Sequence, residues 1–100
     1  MNKNLLHDWT LVRVDFEWQP ARVTIELEDS TLTRRALVAE GVEELRVPKM
    51  NDWGPSVSVN EVAEIEAPSG YGKIFSIEMQ SGDVIRIVAE KIFLLPAEGR

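Results

Sequence analysis

Residues 74–89 read IFSIEMQSGDVIRIVA, and this stretch determines the predicted fold. Apolar side chains occupy alternate positions in both of its halves: Phe75, Ile77 and Met79, and then Ile85, Ile87 and Ala89. A period of two is typical of a β-strand with one buried face. If Phe75 pairs with Ile87, both apolar sets share one face and residues 80–82 form a three-residue loop. Gly82 then occupies the loop position that favours a left-handed backbone, so the stretch predicts an antiparallel hairpin.

A second hairpin is predicted nearer the N-terminus. Alternating apolar residues again form two sets: Val12, Val14, Phe16 and Trp18, followed by Val23, Ile25 and Leu27. Because paired residues share a face, we expect Trp18 opposite Val23 and Phe16 opposite Ile25. The loop is then either Pro20-Ala21 or residues 19–22. A two-residue hairpin loop usually needs a positive φ at its first position, which proline cannot adopt, so the four-residue loop with proline at its second position is favoured. In this register Trp18 continues the core face.

The middle of the chain is less regular. We expect strands over residues 32–39 and 42–47, joined at Glu40-Gly41. A further strand starts at residue 57 and either runs on to Glu66 or breaks near Asn60-Glu61. Residues 48–56 contain two prolines and a glycine, which break a strand ladder and predict a loop. Together these segments give six to seven strands in one domain, residues 1–100. The pattern predicts an all-β fold, either an antiparallel β-sandwich or a small barrel.

The last predicted strand has apolar residues on both of its faces. We expect Val84, Val88 and Ile92 on the face opposite Ile85 and Ile87, and residues 92–95 are wholly apolar. A strand that is buried on both faces lies in the centre of a fold, or else its outer face is covered by another subunit. The sequence leaves both interpretations open, so a homodimer is a candidate assembly.

The charge balance of the chain is acidic. Eleven Lys and Arg residues against 17 Asp and Glu residues give a formal net charge of −6. Nucleic-acid binders present a basic face to phosphates, whereas the basic residues here are scattered and residues 52–66 contain four acids and no base. We therefore expect no binding to nucleic acid or to an anionic membrane. A basic protein is the partner that this composition favours.

The chain contains no cysteine, which excludes disulfides, cysteine-ligated zinc and thiol chemistry. The N-terminal residues lack the apolar run of a signal peptide, and no window approaches the roughly 18 apolar residues of a membrane-spanning helix. A cytoplasmic location is therefore the expectation.

Few residues could support catalysis. His7 is the only histidine and is followed by Asp8; on a strand these side chains would point to opposite faces, whereas in a loop they could meet. None of the six serines lies in a Gly-x-Ser-x-Gly turn, and no metal-binding pattern is present. We expect no catalytic residue, no metal and no cofactor. The alternative is a small-ligand-binding barrel or a minor hydrolase that uses His7 with a nearby carboxylate.

The predicted partner-binding surface combines a loop and a strand. Met50, Asp52 and Trp53 lie in the proline-bounded loop, and tryptophan and methionine are enriched where proteins meet partners. Trp53 could equally cover the open end of the predicted core. Glu64 and Glu66 alternate along the following strand, so they could share one face as the acidic part of the surface.

Two stretches of the chain resemble known proteins: His7-Asp8-Trp9 before the first alternating strand, and residues 53–60, which read WGPSVSVN. Together they resemble small bacterial β-rich proteins of uncharacterised function, some of which are similar to immunity proteins for secreted toxins. The resemblance implies a non-catalytic, protein-binding role. It carries over no functional residue, because neither stretch is a chemical motif.

Overall fold

The computed structural model describes residues 3–50, 57–68, 70 and 72–96. Six β-strands are present there: β1 (Thr10–Glu17), β2 (Arg22–Glu28), β3 (Arg34–Arg46), β4 (Val59–Glu66), β5 (Lys73–Met79) and β6 (Val84–Leu94). All neighbouring strands pair antiparallel in one sheet of order β1-β2-β3-β6-β5-β4. The predicted all-β antiparallel fold is confirmed. The described residues include no helix with the length and apolar character that a membrane span requires.

The hairpin of β5 and β6 has the predicted register. Phe75 pairs with Ile87 and Ile77 pairs with Ile85, and all four side chains are buried. Gly82, in the loop, has a φ of 97°, which is the left-handed conformation that the loop requires. β6 lies between β3 and β5, so it is a central strand of the sheet. The homodimer stays a prediction.

The hairpin of β1 and β2 is present, but its predicted register is wrong by two residues. Phe16 pairs with Val23 rather than with Ile25. A shift of two keeps every side chain on its face, so alternation alone does not exclude it. A β-bulge after Leu11 also interrupts the alternation of β1, and Val12 is 44% exposed as a result.

The turn between β1 and β2 consists of residues 18–21 rather than 19–22. The Ala21 N–H donates to the Trp18 carbonyl across a distance of 2.9 Å, and the Gln19–Pro20 peptide bond is cis. Because Trp18 lies in the turn, the paired part of the hairpin ends before it. Its side chain is 81% exposed, so the prediction that Trp18 continues the buried core is wrong.

Residues 34–46 form one bent strand rather than two strands joined at Glu40-Gly41. Gly41 has a φ of 67°, and a Cβ built on it would lie 2.6 Å from Cγ of Glu90 on β6. On both strands the core-facing positions skip a residue at this level. On β3 the step from Ala39 to Val42 is three residues instead of two, and on β6 the step from Ala89 to Ile92 is also three, so Ile92 packs against the core and not on the outer face. Facing interruptions on neighbouring strands bend a sheet.

The bend brings the first and last strands of the sheet together. Thr10 of β1 forms an isolated antiparallel bridge with Ser58, next to β4. Apart from this bridge, the described strands do not close into a barrel, and the finer choice between sandwich and barrel is not confirmed. One face of the sheet encloses a single core, and its fully or almost fully buried residues come from the N-terminal turn and from β2 to β6: Leu6, Val23, Ile25, Leu27, Leu37, Ala39, Val59, Val62, Phe75, Ile77, Met79, Ile85, Ile87 and Ala89.

Asp29 organises the turn between β2 and β3. Its Oδ1 accepts hydrogen bonds from the Thr31 N–H at 2.9 Å, the Thr31 hydroxyl at 2.7 Å and the Thr33 N–H at 3.0 Å. The Thr31 hydroxyl, followed by the Thr33 N–H, lowers the pKa of the Asp29 carboxyl below its ordinary value of 3.8.

We predict that Gly41→Ala destabilises the protein by about 1–3 kcal/mol, because a positive φ is unfavourable for alanine and the new methyl group contacts Glu90. Gly70→Ala is a matched control, since Gly70 also has a positive φ, 77°, but nothing lies within 4 Å of its Cβ position. Urea unfolding measures both variants. We expect a loss of only about 1 kcal/mol for Gly70→Ala, and equal losses would show that the contact with Glu90 is unimportant.

We also predict that Asp29→Asn lowers stability at neutral pH and not in strong acid. Because the folded-state pKa is depressed, the ionised carboxylate stabilises the fold above pH 3.8, and this contribution is lost as pH falls through the folded-state pKa. Thermal unfolding of wild type and Asp29→Asn across the acid range measures the difference. A gap between the two melting temperatures that does not narrow below pH 3.8 would contradict the assignment.

Candidate functional site

A groove opens at the end of the core next to the β1–β2 turn. Its volume is about 450 Å³, and it is lined by Phe16, Trp18, Ala21, Val42, Glu43, Glu44 and Leu45. We call it the aromatic groove. Five of its seven lining residues are apolar, and the two charged ones, Glu43 and Glu44, are both acidic. The groove therefore offers an apolar floor with a negative edge.

The aromatic side chains of the groove follow from the β1–β2 register. Phe16 pairs with the fully buried Val23, so its side chain points to the core side of the sheet. The core does not cover it, and Phe16 is 43% exposed. Its ring packs against Trp18 in an edge-to-face arrangement, with centroids 5.8 Å apart and an interplanar angle of 70°. The pair presents a preformed aromatic surface to solvent.

The opposite wall of the groove is the C-terminal part of β3, which extends past the end of β2. β2 begins at Arg22, opposite Glu40, and the last backbone contact between the two segments is the Val42 N–H donating to the Ala21 carbonyl at 3.0 Å. Residues 44–46 pair with β6 on their other side, and Glu43 lies at a register shift between the two strands. Among the described residues, no backbone hydrogen bond reaches them from the β2 side. In the described part of the chain, the groove is therefore flanked by a stretch of β3 edge with no strand beside it.

The two carboxylates at the groove differ in their partners. The Arg86 Nε donates to the Glu44 Oε1 at 3.2 Å, so Glu44 is partly neutralised from the outer face. In the described part of the chain no salt bridge involves Glu43, which is exposed. Glu43 is thus the acidic group of the groove that remains available to a cationic partner.

The predicted loop site is only partly within the described residues. Met50 is 83% exposed, and its backbone N–H donates to Asp83 Oδ1 at 3.3 Å. This contact ties the start of the loop to the β5–β6 hairpin while leaving the Met50 side chain in solvent. Asp52 and Trp53 lie outside the described residues, so their partner-binding role stays a prediction.

Glu64 and Glu66 share one face of β4, but a base lies between them. Glu66 pairs with Lys73 and Glu64 pairs with Phe75 across the β4–β5 ladder. The Lys73 Nζ donates to the Glu64 Oε2 at 3.0 Å. This hydrogen bond, with the nearby negative charge of Glu64 and then of Glu66, raises the pKa of Lys73 above its ordinary value. The pair is partly neutralised within the protein, and neither residue lines the aromatic groove.

His7 and Asp8 lie in a turn, where their side chains meet. The His7 Nδ1 is 2.6 Å from the Asn60 carbonyl, to which it donates, and Nε2 is 3.5 Å from Asp8 Oδ2. Asp8 Oδ1 also accepts a hydrogen bond from the Gln80 side chain at 2.7 Å. These contacts join the N-terminal turn to β4 and to the loop between β5 and β6. His7 does not line the aromatic groove, and its use by a hydrolase stays a prediction.

Sequence reasoning did not identify the aromatic groove. The feature that marks the groove is the exposed end of the β1–β2 hairpin. This end can be located only when it is known that Phe16 pairs with Val23 and that Trp18 lies in the turn. Comparison with protein-family models, curated proteins and solved structures finds no match. The resemblance to small bacterial β-rich proteins therefore stays a prediction as well.

We predict that Trp18→Ala changes the free energy of unfolding by no more than about 0.5 kcal/mol, because the side chain is almost fully solvated and its loss leaves no cavity. Trp9→Ala is the contrasting control, since Trp9 packs against the core and its ring lies 5.1 Å from the Arg35 guanidinium. We expect that variant to lose about 2–4 kcal/mol. Urea unfolding measures both, and a large loss for Trp18→Ala would give the exposed indole a structural role.

Proposed function

We propose that this chain is a non-catalytic protein-interaction domain, with an immunity-protein-like role, that binds a basic protein through the aromatic groove. One observation supports the proposal above the others: an exposed, preformed Phe16–Trp18 pair stands over an apolar groove that has only acidic charges. In this proposal the two halves of the bent sheet pack face to face as a β-sandwich, and the groove lies at the open end of that sandwich. The net charge of −6 favours the same class of partner.

The physical argument for binding rests on the solvation of Trp18. A solvated indole is unfavourable in water, and tryptophan is among the residues that most often dominate binding energy at interfaces. Phe16 holds the ring edge-to-face, so less side-chain entropy is lost when a partner covers it. Val42 and Leu45 pack against the core, which makes the floor of the groove rigid. An apolar side chain inserted here would extend the core of the protein.

The Glu43 carboxylate gives the groove its charge preference. It lies beside the apolar floor, and no salt bridge to it is found among the described residues. A Lys or Arg placed next to an apolar anchor would therefore gain a charge-assisted hydrogen bond at the edge of the groove. Such a contact is exposed and screened by salt.

We predict that peptides selected from a displayed random library on the immobilised protein combine an apolar anchor with Lys or Arg. Trp18→Ala should weaken their binding about thirtyfold, the effect of an interface hot spot of about 2 kcal/mol. Glu43→Gln should reduce both affinity and its salt dependence. Titration calorimetry with each selected peptide measures these changes.

Leu32→Ala is the matched control for this experiment. Leu32 is 78% exposed, close to the exposure of Trp18, but it lies in the β2–β3 turn at the other end of β2. We expect Leu32→Ala to bind selected peptides with unchanged affinity. Peptides that bind Trp18→Ala as tightly as wild type would place the binding surface elsewhere and contradict the proposed function.

A further inference from the structure

We propose, on the basis of the proposed function, that the partner binds as an extended strand added to the free edge of β3 at residues 43–46. The partner would supply a segment that alternates basic with apolar side chains. Its backbone would hydrogen-bond to β3, its apolar residues would enter the aromatic groove, and its basic residues would lie along the acidic strand edge that carries Glu43 and Glu44.

The position of β3 explains why an added strand fits. In an antiparallel sheet, alternate residues of a strand direct their N–H and C=O groups to opposite neighbours. β6 pairs with Glu44, Leu45 and Arg46 on one side, while β2 begins only at Arg22, opposite Glu40, and its turn contacts β3 no farther than Val42. Among the described residues, nothing pairs with the other side of this segment, which is the side that adjoins the groove. An added strand would lie beside residues 43–46 of β3, in line with β2 but beyond its first residue.

The other sheet edges are less suited to an added strand. β1 has a bulge near its start and then the charged residues Arg13, Asp15 and Glu17 along its length, which are features that protect an edge. The edge of β4 is partly covered, because the Val62 N–H donates to the Lys3 carbonyl at 2.9 Å. β6 also extends past β5 over residues 91–94, but no exposed aromatic side chain of the described chain lies there.

The period of a β-strand sets the chemistry of the partner. Four residues of β3 give an edge of about 13 Å, at about 3.3 Å per residue. Successive side chains of the added strand point to opposite faces, so an apolar residue toward the groove is followed by one toward the other side. The acidic charge beside the groove and the net charge of the protein favour Lys or Arg at those other positions. The partner class is thus a basic amphipathic β-segment.

The test uses a defined probe, the peptide acetyl-Lys-Val-Lys-Phe-Lys-Val-Lys-amide, and two derivatives that are N-methylated at alternate residues. One derivative lacks the N–H groups on the apolar positions, and the other lacks those on the lysines. An added strand directs only one of these sets toward β3, and the alternating side chains fix its register. We expect one derivative to lose at least about tenfold in affinity and the other to change by less than about threefold.

Amide hydrogen exchange by NMR locates the probe. Slowed exchange at alternate residues of 43–46, together with a shift of the Trp18 indole resonance, is the expected result. Equal binding of both derivatives would overturn strand addition, and so would protection confined to residues 12–17 or 91–94 or no binding of the parent peptide. The proposed function is judged separately, by the loss of selected-peptide binding in Trp18→Ala, because that selection does not require an extended backbone.

Discussion

The close approach of Gly41 to Glu90 is the constraint on which the rest of the structure depends. β3 and β6 are the two longest strands and are neighbours at the centre of the sheet. A flat sheet of six strands would leave its whole apolar face in water. Because the backbone at Gly41 takes a positive φ and Glu90 occupies the space of the missing Cβ, the two strands bend at the same level. The bent sheet can then enclose one core.

The same bend leaves an opening at one end of the molecule. Beyond Gly41, β3 follows β6 and not β2, so the β1–β2 hairpin separates from it at Val42 and Ala21. The aromatic groove and the free edge at residues 43–46 both occupy this separation. To close this opening, β2 would have to begin before Arg22, and the residues of the turn that contains Trp18 would then have to become part of the strand. The exposed indole and the unpaired edge are therefore two consequences of one feature of the topology.

The sequence predicts those parts of this fold where side-chain period and loop chemistry agree. The β5–β6 hairpin was predicted to the residue because Gly82 fixes the loop and hence the register. In the β1–β2 hairpin, Pro20 is compatible with more than one loop, and alternation is unchanged by a shift of two, so the register was wrong. A glycine between two apolar segments is more often in a turn than at a bend within a strand, so the sequence predicts a turn at Gly41. The groove depends on both of these details, so it could not be predicted.

The net charge is a weaker guide to the site than its value of −6 indicates. Most bases of the described chain lie across the sheet from acids, as in Arg34–Glu26 at 3.1 Å, Lys91–Glu40 at 3.3 Å and Lys73–Glu64 at 3.0 Å. Such exposed pairs contribute little stability individually, but they determine which carboxylates remain available to a partner. The acidic composition favours Glu64 as a partner-binding residue, but Lys73 on the neighbouring strand pairs with it. Only the β4–β5 register reveals that contact. Glu43 sits at a register shift of β3, opposite no residue of β6, and no salt bridge involves it among the described residues.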